Sequence, residues 1–333
     1  MTRTGWHCRN AQRPDYHLAR RGPMQSRRND FDVTNRIQTT DAAAVHREIA
    51  RLFRLLYPGA AHVVMDRAFD DVTKLYSGQY PGYQACDTSY HNLQHVLDVT
   101  LAMSRLMDGY ERSRNGTPAF GVRFFQLGVI AALFHDIGYL RQKTDTTAKN
   151  GAEYTLNHVS RGAEFLRSYM PEIGLGDCAE EAAELLHYTG FEKRVAEILV
   201  QDPVLRMLGS LLGSADIIAQ MSDRCYLEKC RDRLYPEFVA GGIAVKKSLL
   251  GEQVVFQSGQ DLVSKTPAFF ESAINRLEHD LGGAYNYAAT HFGGFNLYMH
   301  AATKNVHFAK QISEKGSQTL RRTPPEQAQT TIG

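Results

Sequence analysis

Residues 120–138 read FGVRFFQLGVIAALFHDIG, and this stretch predicts a strongly apolar helix with a histidine and an aspartate at its carboxyl end. We expect the helix to reach Asp136 and to end near Gly138, because glycine commonly follows a last helical turn. Its longest apolar run, 124–134, has 11 residues, and a bilayer needs about 20, so no membrane-spanning helix is expected. An unpartnered buried carboxylate is strongly disfavoured, and a divalent cation held by His135 and Asp136 would remove that cost.

Apolar residues recur at helical spacing along nearly all of the chain between residues 39 and 316, and this pattern predicts an all-α fold. Asp41 is a good first cap for one helix, and Asp202-Pro203 is a good start for another. The short apolar segment 254–256 is the one strand-like stretch. The other expected helices lie near residues 41–56, 62–77, 89–106, 153–170, 178–189, 191–200, 202–222, 224–240, 267–281 and 284–313.

Composition excludes several classes of protein. The 333 residues are 43% hydrophobic and 22% charged, which is an ordinary globular profile and not that of a disordered chain. The net charge of +2 gives no reason to expect a nucleic acid or a membrane as partner. Five cysteines without a CxxC pair argue against a disulfide framework and are typical of the reducing cytoplasm.

The two ends of the chain differ from the middle. Residues 1–38 are expected to form a disordered basic extension, because the first 36 hold eight arginines against three acids and show no apolar periodicity. The alternatives are an organelle transit peptide and a translation start at Met24. The polar residues 317–333 are expected to form a flexible tail, which leaves 39–316 as a single helical domain.

Histidines and aspartates form a pattern along the predicted helices. His91 and His95 are four residues apart, so both imidazoles are expected on one face of the helix that begins near Ser89. Three more candidate ligands follow His135 at intervals of 23, 29 and 29 residues: His158, His187 and Asp216. One candidate ligand per helix at nearly regular intervals is what a helical bundle with a central metal site requires.

These residues resemble the ligand series of the HD-domain superfamily of metal-dependent phosphohydrolases, which is a histidine, then a His-Asp pair, then a distant aspartate. The positions are filled here by His95, His135-Asp136 and Asp216. The segment 90–99, YHNLQHVLDV, is similar to the signature of the class I cyclic nucleotide phosphodiesterases. Those enzymes carry a further histidine three residues after the aspartate of the pair, where this chain has Tyr139.

The resemblance implies an HD-type helical bundle with additional C-terminal helices and a hydrolytic function. The resemblance implies that His91 is the general acid. His158 and His187 are similar to the extra ligands of the two-metal HD-GYP branch. The implied cofactor is one or two divalent ions of zinc, manganese, iron or magnesium, with Asp136 as a possible bridge. The expected substrate is a small-molecule, nucleotide-like phosphate ester. The expected reaction is the attack of a metal-bound hydroxide on this ester.

Neighbouring charged residues are candidates for supporting roles. Asp98 and Glu184 are carboxylates that could orient the ligand imidazoles from behind. Arg161 follows His158 by three residues and could contact a phosphate, as could Arg141 or Lys143 in the loop after the His-Asp pair.

Two other functions fit the same residues. A di-iron oxygenase of the HD type would use four histidines and two aspartates, and this chain supplies all six: His95, His135, Asp136, His158, His187 and Asp216. A non-catalytic HD module that binds a nucleotide is the second alternative. The hydrolase is favoured by His91, because an alkoxide leaving group needs an acid beside the metal.

Overall fold

The structure is a computed structural model that describes residues 26–114, 119–248, 251–315 and 320–326. Its helices, in chain order, are α1 (Ala42–Leu56), α2 (Val63–Ser77), α3 (Leu93–Ser113), α4 (Gly121–Phe134), α5 (His158–Glu172), α6 (Ala179–Leu186), α7 (Pro203–Ser222), α8 (Tyr226–Lys229), α9 (Tyr235–Ala240), α10 (Gly259–Ser264), α11 (Thr266–Asn275), α12 (Tyr287–His291) and α13 (Leu297–Lys315). One antiparallel hairpin joins β1 (Val245–Ser248) to β2 (Gly251–Val254). The predicted all-α fold is confirmed.

The centre of the domain is built from α3, α4 and α7. Every residue of α4 from Phe125 to Phe134 is buried, as the apolar sequence predicts. Helix α3 packs against both α4 and α7, and the remaining helices cover this core from outside. The His-Asp pair at the end of α4 is therefore delivered to the middle of the molecule.

Local capping agrees with the sequence at several helix ends. The Asp41 side chain accepts hydrogen bonds from the backbone N–H groups of Ala43 and Ala44 and so caps α1. Asp202 accepts from the N–H of Val204, and Pro203 occupies the first turn of α7. Helix α7 is also the one described helix that is long and apolar enough to cross a membrane, and 67% of its apolar window is buried inside the protein.

Some predicted elements are wrong. No helix covers 191–200, where the chain makes only a short turn at Val195–Glu197. The long helix expected over 284–313 is broken at Gly293 and Gly294, whose φ angles of 82° and 123° lie outside the range of a right-handed helix. The strand-like residues near 254 form the end of a hairpin whose first strand was not predicted.

The expected boundaries of the terminal extensions also need correction. Asp32, placed in the disordered extension, is buried and its Oδ2 lies 2.5 Å from Nη2 of the equally buried Arg105 on α3. At the other end Leu320 is buried, and the N–H of Arg322 donates to the Glu228 side chain. The folded domain therefore includes residues from about Arg27 onward. Residues 1–25 and 327–333 lie outside the described residues, so the prediction of disorder there is not examined.

Candidate metal centre

The start of α3 positions two histidines. Asn92 is the helix cap: its Oδ1 accepts from the N–H of His95, and its Nδ2 donates to Ser89 O at 2.8 Å. This cap places His95 in the first turn of α3 and leaves His91 before the helix. The expectation that both imidazoles share one helical face is therefore wrong, because the helix begins at Leu93 and not near Ser89.

The end of α4 places the His-Asp pair against the start of α5. Beyond Asp136 the chain turns sharply, and Gly138 packs on the backbone of His158. A Cβ added at Gly138 would lie 1.8 Å from His158 O, so this close approach requires glycine. The contact holds the turn after Asp136 beside the first residue of α5.

Four donor atoms from three helical segments converge at one point. His95 Nε2 lies 3.3 Å from His135 Nε2, and each of these nitrogens lies 3.2 Å from Asp136 Oδ2. Asp216 Oδ1, from the middle of α7, lies 3.5 Å from His95 Nε2 and 3.9 Å from His135 Nε2. His95, His135 and Asp216 thus form a group that could hold a metal ion.

The spacing and chemistry of these atoms fit a divalent cation. Ligand atoms about 2.1 Å from one cation lie about 3.4 Å apart in a tetrahedral arrangement, close to the separations found here. Asp136 Oδ2 is buried and has no hydrogen-bond partner among the described residues. His135 Nδ1 lies 2.8 Å from Ala132 O, and since a carbonyl can only accept, Nδ1 carries the proton and Nε2 is left with its lone pair for a metal.

The charges of the cluster are tightly linked. Burial alone would raise the pKa of Asp136, but His135 and His95 lower it well below its usual value. Burial disfavours a protonated His95, yet its contacts with the carboxylates of Asp136 and Asp216, and their charges, raise the pKa of His95 to about 10. A buried and a partly buried carboxylate therefore demand positive charge at this point, which protons or a cation can supply.

His158 stands beside the cluster. Its Nδ1 lies 2.8 Å from Thr155 O and must donate, so Nε2 is the free nitrogen, 3.7 Å from Asp136 Oδ1. Burial lowers the pKa of His158, which keeps the ring neutral and able to bind a metal or to accept a proton.

His91 is paired with a glutamate that the sequence analysis missed. Its Nδ1 lies 2.5 Å from Oε2 of Glu237 on α9, and Glu237 is buried. The His91 ring stacks on Tyr139 with centroids 4.3 Å apart, and Tyr139 also stacks on His158 at 4.4 Å, while the centroids of His91 and His158 are 6.5 Å apart. The residue that stands in place of the expected histidine thus contacts both imidazole rings.

Three predicted residues are not brought to the cluster. The charged groups that act on His187 are Lys193, Glu184, Glu192 and Arg167, and none of the cluster residues is among them. Glu184 pairs with Lys193 instead of orienting an imidazole. His187 is buried and its Nδ1 has no hydrogen-bond partner among the described residues, but it does not line the cavity at the cluster, so its assignment as a ligand supported by Glu184 stays a prediction.

Asp98 also faces away from the cluster. Its electrostatic partners are Lys229 and Asp223 beyond the end of α7, together with Arg27 and the hydroxyl of Thr39. The expected role behind a ligand imidazole gains no support, because the side-chain hydrogen bond of Asp98 is to Thr39 and its nearest charges are those of Lys229 and Asp223.

The predicted phosphate contacts are engaged elsewhere. Arg161 Nε donates to Gly138 O at 2.8 Å and Nη2 to Leu140 O at 3.1 Å, so its guanidinium ties the turn after Asp136 to α5. Arg141 donates to Asp87 at 2.7 Å. Neither arginine lines the cavity at the cluster, and nor does Lys143.

A cavity of about 850 Å³ opens over the cluster. Its polar wall carries five of the residues described above, and its other walls come from the hairpin, from α11 and from the turn at 189–192. The five are His91, His95, Asp136, His158 and Asp216.

Comparison with known proteins adds no assignment: no family model, no curated protein and no solved structure matches this chain.

Proposed function

We propose that the protein is a metal-dependent phosphohydrolase that cleaves a phosphate ester in the cavity over the His-Asp cluster. One arrangement carries the proposal. Four candidate ligands, His95, His135, Asp136 and Asp216, converge at one point, and beside them Nδ1 of His91 is bound to the buried Glu237. The four candidate ligands suit a divalent cation, and the His91–Glu237 pair suits the transfer of a proton.

The ligand set indicates the class of metal. Imidazole and carboxylate donors without a thiolate suit zinc, iron, manganese or magnesium. Such an ion, when bound, lowers the pKa of a coordinated water towards about 7 and polarises a phosphoryl oxygen. His95, His135, Asp136 and Asp216 would hold it, and His158, whose Nε2 lies 3.7 Å from the other oxygen of Asp136, would help to hold a second ion.

His91 supplies the proton for the leaving oxygen. Glu237 accepts from Nδ1, so Nε2 is the nitrogen that remains for a substrate in the cavity. The carboxylate fixes the tautomer and the orientation of the ring, and the stacked Tyr139 ring limits its tilt. General acid catalysis of this kind contributes about 10²–10⁴-fold to the rate.

The rival functions make different demands on the chain. The six-ligand oxygenase needs His187, and this residue does not line the cavity over the cluster. A binding module needs no proton donor, yet His91 is held by a buried glutamate at the wall of the cavity.

The test combines metal analysis with turnover. The full chain is purified, its metal content is measured by mass spectrometry, and hydrolysis of bis(4-nitrophenyl) phosphate is followed with manganese, zinc, iron or magnesium while dissolved oxygen is recorded. We expect at least one bound divalent ion per chain and phosphodiester hydrolysis without oxygen consumption. Oxygen uptake, or nucleotide binding without turnover under any of the four metals, would replace the hydrolase by one of its rivals.

A further inference from the structure

The wall opposite the His-Asp cluster is apolar and continues to the surface. Phe238 and Phe256 stack with ring centroids 5.7 Å apart and line the cavity together with Leu234 and Leu262. Apart from the His-Asp cluster, His91 and His158, the charged residues among the described lining are Glu192 and Lys265. A ligand that fills this space must therefore join a small polar group to a large apolar one.

The mouth of the same cavity is surrounded by exposed apolar side chains. Phe191 is 82% exposed, Leu156 68%, Val254 56% and Phe269 43%, and all four line the cavity. They come from four separate parts of the chain, so their meeting is not a consequence of one apolar segment. Exposed apolar groups gathered at an opening mark a binding surface and not a random distribution.

The hydroxyl groups of the wall are already bonded. Thr155 donates to Ala152 O, Thr189 to Leu186 O and Ser272 to Ala268 O, each within its own turn of backbone. Gln220 is also engaged, because its Oε1 accepts from Tyr90 OH at 3.2 Å. These groups are therefore not free donors for the edge of a nucleobase, which leaves mainly the exposed amide of Gln253 on β2 for that role and weakens the expectation of a nucleotide substrate.

The charge of the cavity limits the phosphate. Lys265 is the one lysine or arginine among the described residues that line it. Its Nζ already contacts Val255 O at 2.7 Å and Asp261 Oδ2 at 2.9 Å. A polyphosphate would need several cationic partners that the walls do not provide, whereas one phosphodiester carries a single negative charge.

From these observations we infer that the substrate is a phosphate diester with one extended alkyl or aryl group, which lies along the apolar wall while the phosphate meets the cluster. The inference rests on the proposed phosphohydrolase function and names its substrate class. Hydrolysis adds water across the P–O bond, and the products are a phosphate monoester and an alcohol. The apolar group supplies binding energy in proportion to its buried length.

A homologous series of substrates tests the inference. The manganese-loaded chain is assayed with methyl, butyl and octyl 4-nitrophenyl phosphate below their micelle concentrations, with a 3′,5′-cyclic nucleotide as comparison. A buried methylene is expected to raise kcat/KM by about fourfold, chiefly through KM. Equal kcat/KM for the methyl and octyl esters, or a preference for the cyclic nucleotide, would overturn the inference.

Variants at the rim give a second test. Phe269→Ser and Phe191→Ser should reduce the ratio of kcat/KM for the octyl ester to kcat/KM for the methyl ester at least fivefold. Phe295→Ser is the matched control, since Phe295 is 55% exposed but does not line the cavity. An equal effect of all three variants would argue against a role of the rim.

Binding separates this inference from the proposed function. Calorimetry with octyl and methyl esters of methylphosphonic acid, which the chain need not cleave, should give at least tenfold tighter binding of the octyl ester and a loss of this difference in Phe269→Ser. Such binding without hydrolysis of any diester would support the substrate class and contradict the hydrolase. Hydrolysis of a diester without any preference for the octyl ester in binding would support the hydrolase and contradict the substrate class.

Discussion

His91 Nδ1 and Glu237 Oε2 lie 2.5 Å apart, although 146 positions separate the two residues in the chain. Glu237 also accepts from the backbone N–H of Tyr90, so one buried carboxylate fixes both the ring and the backbone before α3. A proton donor requires a defined tautomer and orientation, and this carboxylate provides both. The pair therefore leads to the most direct prediction about catalysis.

Loss of the proton donor should depend on the leaving group. We expect His91→Ala and Glu237→Gln to lower kcat for dibutyl phosphate by about 10²–10⁴-fold, because a butoxide ion cannot leave without a proton. Bis(4-nitrophenyl) phosphate should lose much less, since 4-nitrophenolate leaves unprotonated. The measurements are ³¹P NMR for the dialkyl ester and absorbance for the aryl ester.

The metal content separates this role from ligation. Both variants should bind as much metal as the unaltered chain, and His279→Ala, a change at an exposed histidine, should alter neither rate nor metal. If His91→Ala loses its metal, or if both esters slow equally, His91 is not the general acid.

Asp136 is the residue on which metal binding should depend most. Asp136→Ala removes the buried oxygen that lies 3.2 Å from both His95 Nε2 and His135 Nε2. We expect stoichiometric metal and hydrolysis to disappear together, as measured by elemental analysis and by bis(4-nitrophenyl) phosphate turnover. Asp70→Ala, at an exposed carboxylate, is the control and should keep both. Retained metal in Asp136→Ala would show that the ligand assignment is wrong.

The parts of the site that were predictable lie inside apolar helices. His135, Asp136 and Asp216 stand out in the sequence because a charged side chain in a buried apolar helix is costly unless it is paired or binds a metal. Glu237 gave no such signal, since a carboxylate that reaches His91 from a distant helix leaves no mark on the local pattern. Long-range pairing of this kind can be found only once the fold is known.

The incorrect expectations have local causes. The predicted helix over 178–189 ends at Leu186, and His187 is buried without lining the cavity at the cluster. The basic composition near the N-terminus suggested disorder, yet Asp32 is buried against Arg105, which lies 73 residues later in the chain. Composition describes the average of a segment and does not reveal one buried contact.

Gly138 should be essential for bringing α5 to the cluster. In Gly138→Ala the new Cβ would meet the backbone oxygen of His158 at 1.8 Å, and backbone cannot move aside cheaply. We expect a loss of about 1–3 kcal/mol in the free energy of unfolding, measured with urea, and weaker metal binding. The control is Gly162→Ala, whose Cβ first meets a methyl group of Leu186 at 3.1 Å, and its loss should be smaller. An equal loss in both variants would contradict the argument.

The segment before α1 should stabilise the domain. Asp32→Ala would leave the buried guanidinium of Arg105 without its carboxylate, and breaking a buried pair costs about 3–5 kcal/mol. Urea unfolding at pH 7 measures the loss, and Glu271→Ala, at an exposed residue, should change stability by less than about 0.5 kcal/mol. If Asp32→Ala were as stable as this control, residues 27–38 would not belong to the folded domain.

Asp98 should make stability fall as pH rises. Burial raises the pKa of Asp98 from 3.8 to about 7, with Asp223 adding to the rise and Lys229 and Arg27 opposing it. The folded chain thus holds this proton more tightly than the unfolded chain, and the stabilisation, complete below about pH 4, is lost as pH rises through about 7. Asp98→Asn cannot lose a proton, so its advantage in stability over the unaltered chain should grow from about 1–2 kcal/mol at pH 5 to at most about 4 kcal/mol at pH 8. Urea unfolding at both pH values measures the difference, and Asp70→Asn is the exposed control. Equal stability of Asp98→Asn and the unaltered chain at pH 8 would show that the charged Asp98 carboxylate does not destabilise the fold.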